Sequence, residues 1–282
     1  MIRHAFGRTG REVAKIGQGS WNLPLRGGAA DEAKRALRRG VELGMTHIDT
    51  AEMYGDGGSE QLIGAAIRGL PREALFIVSK VMPSNATYAG TIAACDASLG
   101  RLGCEYLDCF LLHWRGGVPL RETLGAMEAL VADGKIRSLG VSNFDVDDLR
   151  EAEAVLTRES LACNQILYHL GERTVEAHEF AYCRQRGIAI VGYTPFGRGD
   201  YEDWPATAVL ERIAGKHGAT VRQVILAFLT RDPIAFAIPK AATTAHVEQN
   251  AAAGDLVLGT DDIAAIDGAF PAQARRGALP SL

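Results

Sequence analysis

Several features that would simplify a reading of this sequence are scarce. Cysteine occurs five times in 282 residues, at positions 95, 104, 109, 163 and 183, an odd number with no CxxC spacing. That excludes a disulfide-stapled scaffold and a zinc ribbon, and no apolar leader opens the sequence, so reduced thiols and a cytoplasmic location are expected. No block of like charge appears, and the net charge is only −4 with a pI near 6.0. Nothing there suggests a nucleic-acid-binding or membrane surface. Apolar runs are far shorter than a membrane span needs. Seven histidines form neither HxH nor HExxH, so no metal site is expected. No linker rich in Pro, Gly or Ser divides the chain, and residues 1–282 are expected to form a single domain.

What is present is alternation. After a hairpin pairing 2–6 with 12–16 around "RTGR", short apolar strands are predicted at 15–19, 46–50, 75–80, 107–113, 136–142, 162–168, 188–193 and 235–239. Amphipathic helices follow them at 31–43, 59–68, 88–101, 120–132, 146–156, 175–186, 221–231 and 244–252. Two further helices, 206–217 and 261–269, read as insertions. Gly44, Gly134 and Gly187 stand where helices should stop, and Thr220 to Gln223 has capping-box spacing. Strand–helix units repeated eight times predict an α/β protein with a closed (β/α)₈ barrel. The rival, an open doubly wound sheet, usually carries GxGxxG after its first strand. Here that strand ends in "GQGSWN", which lacks the third glycine and runs into a loop.

In such a barrel the chemistry lies at the carboxyl ends of the strands. The second strand ends in Asp49, with Tyr54 in the glycine-rich loop beyond it. The third ends in Lys80 and the fourth in His113 and Trp114. A strand-end Asp alone is as readily a cap, a Lys a solvated rim residue, and a His a structural one. Convergence of all four at one mouth points to proton donation. A phenol is a poor acid near neutrality, but an adjacent ammonium favours its phenolate, and a carboxylate can hold that ammonium in place. His113 would donate to the substrate oxygen. No nucleophile is in sight: Ser142 lacks a G-x-S-x-G elbow. The attacking group must therefore come from a hydride-carrying cofactor.

The later strand ends suit a nicotinamide. Ser142, Asn143 and Gln165 offer hydrogen bonds to a carboxamide, and Tyr193 a flat surface behind the ring. Each of these could equally cap the barrel or pack in its core. Lys240, just before a helix that begins near Thr243, suits an anion, because a helix N-terminus presents free N–H groups. The hydroxyls of Thr243 and Thr244 are possible further donors. His47, inside a strand, reads as structural.

The segments "HIDTAEMYG", "LFIVSK", "YLDCFLLHW", "GKIRSLGVSNF", "CNQILYH", "GYTPFGRG" and "IPKAATTAHVEQN" occur in order over essentially the whole chain. In them the sequence resembles the aldo-keto reductase superfamily, and within it a bacterial subgroup that reduces methylglyoxal and related small aldehydes. The resemblance implies NADPH as cofactor and a catalytic tetrad of Asp49, Tyr54, Lys80 and His113. It implies carboxamide contacts from Ser142, Asn143 and Gln165, and stacking by Tyr193. It places Lys240 at the cofactor's phosphate, and Gln249 and Asn250 at its adenine. Trp21, Met82 and Trp114 match positions that wall the substrate pocket. Ala241 replaces a common Ser or Thr and His246 a common Arg, which thins the usual grip on a 2′-phosphate. The short tail after Asp261 implies an open site. A small-molecule carbonyl substrate and a monomer are expected. The alternative is a nicotinamide-binding sensor or regulatory subunit that barely turns over.

Overall fold

The computed structural model describes residues 1–198, 204, 206–274 and 277–281. The chain opens with an antiparallel hairpin of β1 (Arg3–Ala5) and β2 (Glu12–Ala14), in the register Arg3 opposite Ala14. Eight parallel strands follow: β3 (Gln18–Gly19), β4 (His47–Asp49), β5 (Phe76–Val81), β6 (Cys109–Leu112), β7 (Leu139–Ser142), β8 (Leu161–Leu167), β9 (Ala189–Tyr193) and, after a short β10 (Pro195–Arg198), β11 (Ala235–Ala237). Each pairs with its predecessor in the barrel. The circle is shut by parallel bridges from Ile16 to Ala237 and from Gly19 to Lys240. Gly17 N donates to Ala237 O at 2.8 Å, and Ala237 N returns a bond to Lys15 O at 2.9 Å. At this seam a Cβ on Gly19 would lie 2.5 Å from Ile238 O, so closure requires glycine there.

Helices α1 (Gly27–Glu42), α2 (Gly58–Ile67), α3 (Tyr88–Leu102), α4 (Leu120–Ala132), α5 (Val146–Val155), α6 (Glu179–Arg186), α7 (Thr207–His217), α8 (Val221–Leu229), α9 (Thr244–Ala252) and α10 (Thr260–Ala269) surround the strands. Their starts follow from local chemistry. Thr220 and Gln223 exchange capping bonds at α8, and Asp145 caps α5. Gly187, at φ +66°, stops α6 in the left-handed region. One predicted helix is broken. Residues 175–186 divide into a 3₁₀ turn at Thr174–Glu176 and then α6, because His178 leaves the helical region at φ −131°. Glu176 in that turn is held by Tyr168 Oη, Arg173 and Arg231, which fixes the turn in place. Within the tail after Asp261, residues 275, 276 and 282 lie outside the described residues. No helix among the described residues is long and apolar enough to cross a membrane.

Period-2 alternation sorts the strands. Ile48, Ile77, Val81, Phe110, Leu112, Leu139 and Val141 face the helices and join their core. Phe76, Val78, Cys109, Leu111, Cys163, Ala189 and Val191 fill the barrel interior, and Phe6 from the hairpin plugs its base against Phe76 and Phe236. The interior set continues upward two residues at a time, from Val78 to Lys80, Leu111 to His113, Cys163 to Gln165 and Val191 to Tyr193. That continuation places the polar groups at one mouth.

Candidate active site

Asp49 is the last residue of β4, Lys80 the fifth of six in β5, and His113 follows β6. Tyr54 sits in the loop before α2, its carbonyl accepting from Ser59 N at 3.1 Å. Lys80 is fully buried, and each of its three N–H donors has an acceptor. Nζ lies 2.7 Å from Asp49 Oδ2, 2.7 Å from Thr50 O and 3.5 Å from Tyr54 Oη. The last contact is long and mainly electrostatic. An ammonium only donates, so Tyr54 Oη accepts from it and the phenolic hydrogen is left to point elsewhere. The ring of His113 meets that of Tyr54 edge-on, with centroids 5.7 Å apart.

Burial and charge act in opposition here. Burial works against the ammonium of Lys80, but Asp49 and Tyr54 outweigh it and raise its pKa. Burial raises Asp49 in turn, against the pull of Lys80. His113 is lowered to about 2, first by burial and then by the charge on Lys80, so its imidazole is neutral and carries one N–H. Its Nδ1 is buried without a hydrogen-bond partner among the described residues. The expectation that the ammonium brings Tyr54 below the usual phenol range is corrected. Burial is the larger effect and the net shift is upward; Lys80 only moderates it. The phenol is thus a donor that stays protonated, beside a cation that meets the charge it would leave behind.

The expected carboxamide set is tied into this group. Gln165 Nε2 donates to Asp49 Oδ1 at 2.7 Å, so the glutamine orients the carboxylate from across the barrel. Asn143 Nδ2 donates to His113 O at 3.2 Å and to Ser142 Oγ at 3.1 Å, while its Oδ1 accepts from Tyr193 Oη at 2.8 Å. It is a strut joining the ends of β6, β7 and β9. Asn143 itself, at φ +60°, and Thr194, next to its partner Tyr193 and at φ +55°, are non-glycine residues in the left-handed region. Trp21 and Trp114 are 49% and 39% exposed, and the Trp114 ring leans on His113 at 4.9 Å. Met82 follows β5 directly, its N–H held by Glu52 Oε1 at 2.6 Å. Glu52, which also takes Asn85 Nδ2 at 3.0 Å, was missed in the sequence. Its place between Asp49 and Tyr54 was the available signal.

At α9, Lys240 is exposed and forms no ion pair among the described residues. Thr243 caps the helix by accepting from His246 N at 3.4 Å, and His246 itself is exposed. Thr244 is not the free donor expected. Its N–H and its hydroxyl both go to Glu32 Oε1, each at 3.0 Å. Gln249 O accepts from Gln223 Nε2 at 3.1 Å. Asn250 is fully buried, and neither Oδ1 nor Nδ2 has a partner among the described residues. His47 is lowered to about 3 by burial and by Lys80, and packs between Phe6 and Phe76 as a structural residue would.

The chain is similar to several known proteins. Residues 15–270 match the aldo/keto reductase family. A methylglyoxal reductase of Escherichia coli (strain K12), YeaE, is 44% identical over 266 residues, 94% of this chain and 93% of that protein. A glyoxal reductase of Bacillus subtilis (strain 168) is 35% identical over 239 residues, 84% of this chain and 83% of its own length. The crystal structure of an aldo-keto reductase from Klebsiella pneumoniae in complex with NADPH superimposes with a TM-score of 0.94, at 41% identity and with 100% of both chains covered. A closed barrel with these polar strand ends, matched over nearly its whole length, makes this chain a member of the aldo/keto reductase family of oxidoreductases.

Proposed function

We propose that the barrel mouth reduces small aldehydes and ketones, of the methylglyoxal class, to alcohols with NADPH. The observation that carries this reading is the buried Lys80 ammonium between Asp49 and Tyr54. Residues 1–282 act in it as one barrel domain.

The residues present fit a nicotinamide dinucleotide. Asn250 offers one buried donor and one buried acceptor, as the edge of an adenine requires, and Gln249 lies next to it. Lys240, Thr243 and His246 surround the start of α9, where a 2′-phosphate would meet a cation and helix N–H groups. Tyr193, half-buried with its hydroxyl anchored to Asn143, would back the nicotinamide ring. Ser142 keeps its own O–H for a carboxamide, since its oxygen accepts from Asn143. When bound, the cofactor supplies hydride.

Tyr54 donates the proton to the carbonyl oxygen as negative charge develops there. Lys80 meets the resulting phenolate, and Asp49, held by Gln165, keeps Lys80 in place. The neutral His113 directs its one N–H at the same oxygen, orienting the carbonyl without adding charge. Trp21, Met82 and Trp114 wall the approach. The rival sensor role would leave these parts without use. The test is NADPH oxidation across a panel of methylglyoxal, benzaldehydes, sugars and diketones. Turnover fastest with small dicarbonyls is expected. Cofactor binding with no turnover of any carbonyl would select the sensor instead.

A further inference from the structure

The start of α9 already holds an anion of the protein's own. Glu32 of α1 takes the backbone N–H and the hydroxyl of Thr244 on Oε1. Its Oε2 holds Arg35 through Nε at 3.1 Å and Nη2 at 2.6 Å. One turn further on, Arg39 is likewise taken by Glu248 and Glu42. Both arginines on this face of α1 are therefore neutralised by carboxylates. Lys240 is left as a cation with no ion pair among the described residues. The N–H of Thr244 first, then Arg35 and the Thr244 hydroxyl, hold the carboxyl of Glu32 below the usual range, so it is charged at neutral pH.

We infer that Glu32 is a specificity-determining residue that restrains the preference for the 2′-phosphorylated cofactor. This rests on the cofactor placement proposed above. The physical reasoning is short. A phosphate dianion near Thr243 and Lys240 needs donors and positive potential. Glu32 occupies two of the donors at this helix end, engages Arg35, and adds a like charge beside the dianion. NADH, which lacks the 2′-phosphate, meets none of these penalties. Ala241 and His246 weaken the phosphate grip by omission; Glu32 weakens it by opposition.

The test compares dissociation constants of NADPH and NADH by fluorescence titration at low salt, for the unmodified protein, Glu32→Gln and Glu32→Asp. Removing one charge at a helix end should tighten NADPH by roughly three- to tenfold. NADH should change less than about twofold. Glu32→Asp, which keeps the charge, should leave the NADPH/NADH ratio near that of the unmodified protein. The gain in Glu32→Gln should shrink at 0.5 M salt, as a screened interaction must. Thermal unfolding of the ligand-free variants reports any loss of helix capping separately. A purely structural role would move both cofactors together. An equal shift for both, or an unchanged NADPH constant, overturns the inference while the cofactor reading stands. If the unmodified protein binds neither dinucleotide, both fail.

Discussion

Gln165 and Asp49 lie 116 residues apart in sequence and meet at 2.7 Å across the barrel, amide nitrogen to carboxylate oxygen. Lys80 takes the other oxygen of the same carboxylate at the same distance. Asp49 is thus held from both sides in a buried setting, and its orientation belongs to β8 as much as to β5. Replacing Gln165 with Leu should leave Asp49 Oδ1 desolvated and unbonded. A loss of about 1–3 kcal/mol in stability is expected, with a fall in kcat of roughly tenfold. Urea unfolding and steady-state rates measure the two. No change in either would show that the contact is idle.

Tyr54→Phe should reduce the single-turnover rate by about 10²- to 10⁴-fold and leave the NADPH dissociation constant within about twofold. The motive is that the phenolic hydrogen is left free by the ammonium that touches its oxygen. Retention of more than about a tenth of the rate in a chemistry-limited assay would remove Tyr54 from the role of acid.

Lys80→Met should be nearly as damaging, and the double variant little worse than either single one. In the proposed mechanism the two groups act as one acid, so their losses should not add. Lys80 also neutralises Asp49 in the interior, and breaking a buried pair costs about 3–5 kcal/mol. Stability must therefore be measured alongside rate. Fully multiplicative rate losses in a folded double variant would assign Lys80 a separate function.

Acid should weaken the fold through two buried histidines. His113 and His47 are depressed in the folded state to about 2 and about 3, against about 6.5 in an unfolded chain. Between those limits the unfolded state binds more protons, so stability is full above pH 6.5 and falls as pH drops below it. The slope is about 1.4 kcal/mol per pH unit for each histidine. Asp49, shifted upward, offsets part of this only where its own titration begins. His113→Gln should roughly halve the slope between about pH 6 and 5. An unaltered pH profile in that variant, followed by chemical denaturation, would contradict the burial argument.

Lys240→Ala should bring NADPH and NADH close to parity by weakening NADPH alone. Lys240 is exposed and has no competing ion pair among the described residues, so its charge is available. A charge-assisted hydrogen bond is worth about 1.5–3 kcal/mol, which corresponds to a preference of roughly tenfold or more. Equal dissociation constants for the two cofactors in the unmodified protein would overturn this reading of α9.

Much of this was legible in the residues. Periodicity located α4 and α9 to the residue, because their apolar faces and end signals are local. The break at His178 was not legible. Glu176, two residues before it, is held partly by Arg231, which is 55 residues away.

The same division runs through the site. The sequence alone determined that Asp49, Lys80 and His113 end successive strands and point inward, since side-chain direction in a strand depends only on counting by two. Tertiary structure decided what these groups do to one another. Only barrel closure brings Gln165 to Asp49, makes Asn143 a strut between three strand ends, and seats Glu32 on Thr244. Only burial, a property of the whole packed chain, sets the phenol of Tyr54 above its usual pKa although an ammonium lies beside it. Strand direction follows from the backbone of each segment; hydrogen-bond partners and desolvation depend on which segments the fold brings together.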